Sequence, residues 1–197
     1  TEISSVAAQV RAAQFLTRAT FGPTQSEIDQ LAAEIEKVGF YAAFEAWIDS
    51  QFLLPASQHH TLAREMIQDD GFSLIDKAVS PGAYREFAWW HIALTGQDQL
   101  RQRLAWALYQ IAPVSTDVNG ANQRRLDASG EPAYLGLSSY YDMLAQNAFL
   151  NYRELLLGIA LHPVMGTYLS HALNSKGIPE IGQYPDENFA REVMQLF

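Results

Sequence analysis

Apolar residues recur along this chain at the three-to-four-residue spacing of a helix face, and the alternation that marks a half-buried strand is almost absent. This pattern constrains the fold strongly, because a helix with one oily stripe can bury it only against other elements, and here nearly all of those are helices too. The expected class is all-α: an irregular bundle of about eight to ten helices with two long loops. The 197 residues fit a single helical domain or lobe.

The helix signals vary in strength along the chain. Residues 4–18 place Val6, Val10, Ala13 and Leu16 on one side, and Phe21-Gly22-Pro23 stops that run. Thr24 and Glu27 have capping-box spacing, Ile28, Leu31, Ala32, Ile35 and Val38 follow at helical intervals, and Gly39 closes the segment. A third helix carries Phe44, Trp47, Ile48 and Phe52 before Pro55, and a weaker one spans 61–68. Pro81 opens a helix with Phe87, Trp90 and Leu94 as its apolar stripe, and residues 97–111 are expected to bury Leu100, Leu104, Ala107, Leu108 and Ile111. Helices over 134–146, 152–161 and 163–173 follow. The loops are 113–132, rich in Ser, Asp, Asn and Gly, and 174–185, punctuated by glycine and proline. Pro185-Asp186 then opens a last helix, whose stripe of Phe189, Val193, Leu196 and Phe197 is still running at the final residue. The expectation from that stripe is an N-terminal fragment of a longer protein, with the polypeptide after Phe197 as the packing partner.

Composition removes several function classes. A net charge of −9, with only thirteen Lys and Arg and Arg124–Arg125 as the sole adjacent basic pair, is unsuited to the phosphate backbone of a nucleic acid. No apolar run approaches the roughly 20 residues of a membrane-spanning helix. With no cysteine, there are no disulfides, thiolate catalysis or Cys-ligated metal sites. No G-x-S-x-G elbow, Walker loop or GxGxxG is present. No metal or cofactor is expected.

Several short segments in order resemble the bacterial family labelled domain of unknown function 1800. They begin with Phe15-Leu16-Thr17-Arg18-Ala19-Thr20-Phe21-Gly22-Pro23, followed by Trp47 and Gln51. Leu100-Arg101-Gln102-Arg103, Tyr140-Tyr141-Asp142-Met143-Leu144, Asn151-Tyr152-Arg153-Glu154-Leu155-Leu156 and His162-Pro163-Val164-Met165-Gly166 come next, and Pro185-Asp186-Glu187-Asn188-Phe189-Ala190-Arg191-Glu192 closes the series. The resemblance covers nearly the whole chain and implies a longer protein that continues through Leu-Phe into a Gly-containing turn. It also implies a periplasmic or extracellular setting and a sulfatase-like neighbour protein as a partner. It implies no particular reaction.

The residues themselves offer four candidate groups. Asp186, Glu187, Asn188, Arg191 and Glu192 are either a cap with a salt-bridged helix or a set of acids and bases at a loop–helix junction. His162 and His171, with Asn174 on the face of His171, are either structural histidines or cation ligands completed by Asp186 or Glu187, although their spacing matches no metal signature. Arg18, Arg101, Arg103 and Arg153 lie among apolar residues, so an internal ion-pair network with Asp142, Glu154 and Glu187 is expected, the alternative being anion binding by Arg101 and Arg103. Trp89-Trp90, Tyr134, Tyr140, Tyr141 and Tyr152 read as core, or else as sugar-stacking surfaces. His59-His60 diverge and carry little weight.

Two functions follow. One is a non-catalytic helical module of an exported protein, acting in binding or assembly, with Arg101, Arg103, Arg191 and Asn174 as binding candidates. The other is a hydrolase-type enzyme whose site is completed beyond Phe197, with Asp186, Glu187, His162 and His171 as catalytic candidates. Convergence of those side chains on an open cleft would favour the enzyme.

Overall fold

A computed structural model of the protein describes residues 4–115 and 132–197. Among them are ten α-helices, two short 3₁₀ turns, an isolated antiparallel bridge between Ile178 and Gln183, and no strand. Most of the 113–132 loop, including Arg124–Arg125, lies outside the described residues. No described helix is long and apolar enough to cross a membrane.

The first three helices form one packing unit. Ser4 caps α1 (Ser5–Ala19) by accepting from the Ala7 N–H. The Thr24–Glu27 capping box opens α2 (Gln25–Val38), with Thr24 N–H donating to Glu27 Oε2 at 2.7 Å and Glu27 N–H donating to Thr24 Oγ1 at 3.3 Å. Gly39, at φ 87°, turns the chain directly into α3 (Phe40–Leu53). Ala8, Ala12 and Leu16 meet Leu31, Ala32, Ile35 and Ala43, and Phe15 stacks on Phe44 at 4.2 Å.

Helix α4 (His59–Asp69) packs on α5 (Pro81–Thr95), whose buried side is Tyr84, Ala88 and Ile92. The expected stripe of α5 faces the other way: Phe87, Trp90 and Leu94 are 57%, 58% and 72% exposed. This helix is apolar nearly all round, so periodicity does not select a face. The small Ala63 of α4 and Ala88 of α5, both fully buried, select it by letting the two backbones approach.

A similar reversal occurs in α6 (Gln99–Ile111), which buries Gln99, Gln102 and Ala105 and leaves Leu104, Ala107 and Ile111 exposed. Most of its buried amide atoms are hydrogen-bonded, which offsets the cost of burying them, and Gln102 Oε1 is the one left without a partner. Gln99 Oε1 accepts from Phe21 N–H at 3.1 Å, and Gln102 donates to Asp98 at 2.9 Å. Asp98 also accepts from the Ser57 hydroxyl and N–H, and Gln51 of α3 bonds Gln97 O and Leu100 N–H. The start of α6 is thus the polar junction that ties the first helices to the rest.

The third cluster is built on α7 (Gly136–Gln146), which contacts α4, α6, α8 (Tyr152–Leu161) and α9 (Pro163–Tyr168). Tyr140, Leu144 and Ala145 are fully buried there. Gly158 of α8 lies where an added Cβ would come within 2.9 Å of Met143 Sδ, so a larger residue there would push the flexible Met143 side chain aside. Helix α9 ends at Tyr168 rather than running to 173: Ser170 and Leu173 take φ values of 60° and 61°, and Ala172 N–H closes back on Gly166 O at 2.9 Å. The last helix, α10 (Asn188–Gln195), rests Phe189 on the His171 ring at 4.2 Å while Met194 and Leu196 stay exposed.

Candidate functional site

The end of α4 nearest α7 holds a pair with little signal in the sequence. Helix α4 has no side-chain cap of its own, and Asp142 of α7 takes that role. Asp142 Oδ1 accepts from the His59 N–H at 2.6 Å, and Oδ2 accepts from the His60 N–H at 2.9 Å. The same Oδ1 lies 2.9 Å from His59 Nδ1. A carboxylate already accepting backbone N–H groups on both oxygens is an acceptor at this contact too, so Nδ1 carries the hydrogen, and Nε2 is the ring nitrogen that Asp142 leaves unused. His59 and Asp142 are 3% and 5% exposed, and the edge of the imidazole meets Tyr141 at 4.6 Å.

His59 lines an open pocket of about 200 Å³. Helix α5 contributes Arg85, Glu86 and Trp89, α6 contributes Trp106 and Tyr109, and α7 contributes Leu137, Ser138 and Tyr141. The rings brace one another: Trp89 lies 5.2 Å from Trp106, and Tyr109 lies 6.0 Å from Tyr141. Burial pushes the Tyr141 phenol up to about 12, raises that of Tyr109 and lowers the Arg85 guanidinium. These tyrosines are therefore neutral hydroxyls near neutral pH. The pocket combines mostly carbon walls with an imidazole, a hydroxyl, a cation and a carboxylate.

The residues singled out from sequence lie elsewhere. His162 caps α9: its Nδ1 accepts from the Val164 N–H at 3.3 Å, and its Nε2 lies 3.3 Å from Ser139 Oγ. Ser139 donates its own hydrogen to Gly136 O, so His162 Nε2–H is the donor between them. His171 Nε2 donates to Ala160 O at 2.9 Å, and its Nδ1 is buried without a hydrogen-bond partner. Asn174 and Asp186 form a reciprocal pair, with Asn174 Nδ2 donating to Asp186 O and Asp186 N–H donating to Asn174 Oδ1, both at 2.8 Å. Glu187 pairs with Arg191 on the surface. No described hydrogen bond joins His162 to His171, Asp186 or Glu187, and among the described residues no three His, Asp or Glu side chains gather to hold a metal ion.

The expected ion-pair network of buried arginines is replaced by a different arrangement. Arg101 donates to Ala145 O and Leu54 O at 3.1 and 3.2 Å and lies 4.4 Å above the Phe149 ring. Arg103 lies 5.5 Å over Phe21, while Arg18 and Arg153 are exposed. Leu54 O after α3 and Ala145 O in the last turn of α7 lie at helix ends, where carbonyls carry partial negative charge, so they accept from Arg101 in place of a carboxylate, and Asp142 is left to cap α4.

His162 yields a pH prediction. Burial lowers its pKa to about 4 from the ordinary 6.5. The unfolded imidazole takes up a proton at higher pH than the folded one, so its stabilising contribution is complete above 6.5 and is lost as the pH falls towards 4. Between neutrality and about pH 4.5 the protein is expected to lose about 2 kcal/mol more than His162→Asn, which keeps an acceptor and a donor but does not titrate; partial solvent access to the ring is allowed for. Urea denaturation at the two pH values measures the difference, and equal losses would disprove it.

A family model for a protein of unknown function, DUF1800, matches residues 14–197. The chain belongs to the DUF1800 family. The match runs through every helix of the pocket, from α4 to α7, and both members of the His59–Asp142 pair. No curated protein and no solved structure matches this DUF1800 chain. His59 carries a weak signal in sequence, because adjacent histidines diverge and the periodicity of α4 starts only at residue 61. The available signal was Asp142 in Tyr140-Tyr141-Asp142, an acid among apolar residues that needs N–H donors from somewhere.

Proposed function

We propose that the protein is a ligand-binding module whose site is the pocket between α4, α5, α6 and α7. The observation that carries this reading is the open, ring-lined space with His59, bonded to Asp142, at its wall. At about 200 Å³ it is below the roughly 300 Å³ at which sites for drug-sized molecules begin, so the ligand is small, about one substituted ring. Trp89 and Trp106 offer faces to that ring, and His59 Nε2 and Ser138 offer polar contacts. The family resemblance supports an exported setting and a sulfatase-like partner for the module.

Tryptophan fluorescence provides the test. Titration with monosaccharides, aromatic carboxylic acids and aryl esters is expected to give saturable quenching by at least one class. Trp89→Ala is expected to weaken that binding about tenfold, or ~1.4 kcal/mol. Leu94→Ala, a change at an exposed residue of the same helix outside the lining, is expected to leave it unchanged. Absence of saturable quenching across the panel, or equal affinity in Trp89→Ala, would refute the reading.

A further inference from the structure

Two polar groups of the pocket have a relationship that binding alone does not require. Ser138 and Asp142 are four residues apart on α7 and therefore share one face of it. His59 of α4 lies against that face, with Nδ1–H committed to Asp142. No described hydrogen bond uses His59 Nε2 or Ser138 Oγ, and both residues line the pocket although only 3% and 5% exposed. Ser138 also sits in the first turn of α7, the end of a helix that favours negative charge.

From this arrangement we infer that the pocket hydrolyses small carboxylic esters, with Ser138 as nucleophile, His59 as general base and Asp142 as the residue that positions His59; the inference rests on the binding reading above. Ser138 Oγ forms a bond to the acyl carbon as its proton passes to His59 Nε2. The bond from that carbon to the alcohol oxygen then breaks, and the departing oxygen takes the proton from Nε2. Water repeats the sequence: it gives a proton to Nε2, its oxygen bonds to the acyl carbon, and Ser138 Oγ leaves with the proton returned. The net change is ester plus water to acid plus alcohol, with no further reactant. The aromatic walls hold the aryl or alkyl part of the ester. Ser138 and His59 make no direct hydrogen bond in this structure, and contacts of this kind tighten around bound substrate. The titratable and charged groups around His59 are Asp142 and Tyr141 of α7, Arg85 and Glu86 of α5, and Tyr109 of α6.

The decisive experiment exposes the protein to an alkyl fluorophosphonate, which a nucleophilic serine attacks at phosphorus with loss of fluoride, and maps the adduct by mass spectrometry. The expected adduct is on Ser138 and is absent in Ser138→Ala, a change small enough to leave the fold intact. His59→Gln, checked for folding by circular dichroism, is expected to label about a hundredfold more slowly. Asp142→Asn, whose amide no longer requires a hydrogen on Nδ1, is expected to slow labelling about tenfold in protein that circular dichroism shows to be folded. A merely structural Asp142 would change the amount of folded protein and not its rate of labelling. No adduct on Ser138, or labelling of His59→Gln at the unaltered rate, would overturn the inference. If saturable tryptophan quenching persists in Ser138→Ala while the native protein gives no adduct, ester hydrolysis fails and the binding reading stands. If no member of the panel quenches, the binding reading fails on its own measurement.

Discussion

Replacing Asp142 with alanine is expected to lower the free energy of unfolding by about 3 kcal/mol, equivalent to a drop in Tm of roughly 6–12 °C for a chain of this size. Three donors depend on this one carboxylate: the N–H groups of His59 and His60 and His59 Nδ1–H, at 2.6, 2.9 and 2.9 Å. Each is left without its partner in the variant, at about 1 kcal/mol or more for a buried donor. Helix α4 has no side-chain cap of its own, so its first turn loses its only anionic contact among the described residues. The loss extends beyond α4, because the contact joins segments 83 residues apart in sequence. Urea denaturation of Asp142→Ala beside the native protein measures it. A change below about 1 kcal/mol would mean that water replaces the carboxylate at little cost and that the α4–α7 junction is looser than described.

Tyr140→Ala is expected to cost still more, about 4 kcal/mol, which is a large share of the 5–15 kcal/mol that holds a typical domain together. Tyr140 is fully buried at the centre of the α7 cluster, with its ring 5.0 Å from His162 and 6.5 Å from Tyr109. Truncation removes a ring and opens a cavity among Leu144, Ile159 and Met165, side chains already fixed by their own neighbours. Its hydroxyl donates to Ala112 O at 2.8 Å, capping the carbonyl that follows α6. Tyr140→Phe keeps the ring and loses only that bond, so it is expected to cost about 1 kcal/mol. The comparison separates packing from hydrogen bonding. Equal losses in the two variants would show that the hydroxyl, and not the ring, carries the stability.

The helices were legible because the information for them is local. The Thr24–Glu27 box, the Gly39 stop and the periodic residues between them act within a few residues of one another, and α2 begins and ends where they place it. The all-α class follows from repeating that pattern along the chain. Family membership was legible for a related reason: short motifs in a set order survive in sequence whatever packs against them.

The faces and the candidate site were not legible. In α5, Phe87, Trp90 and Leu94 are as apolar as Tyr84, Ala88 and Ile92, so the choice between two sides fell to the close contact of Ala88 with α4. In α6, glutamines are inside because Asp98, the Phe21 N–H and the backbone of 93–96 await them, partners that no window of sequence contains. Arg101 was expected to need a carboxylate, but the carbonyl ends of two helices served instead.

By itself, then, the order of residues determined which segments become helices, where the best-capped ones stop, and to which family the chain belongs, since each depends on neighbours a few bonds away. Tertiary packing alone decided which stripes are buried and that His59 lines one pocket with Ser138 while bonded to Asp142. Those three come from segments some eighty residues apart, and their proximity is a property of how helices stack, set by the sizes and hydrogen-bonding needs of side chains that meet only after the chain has folded.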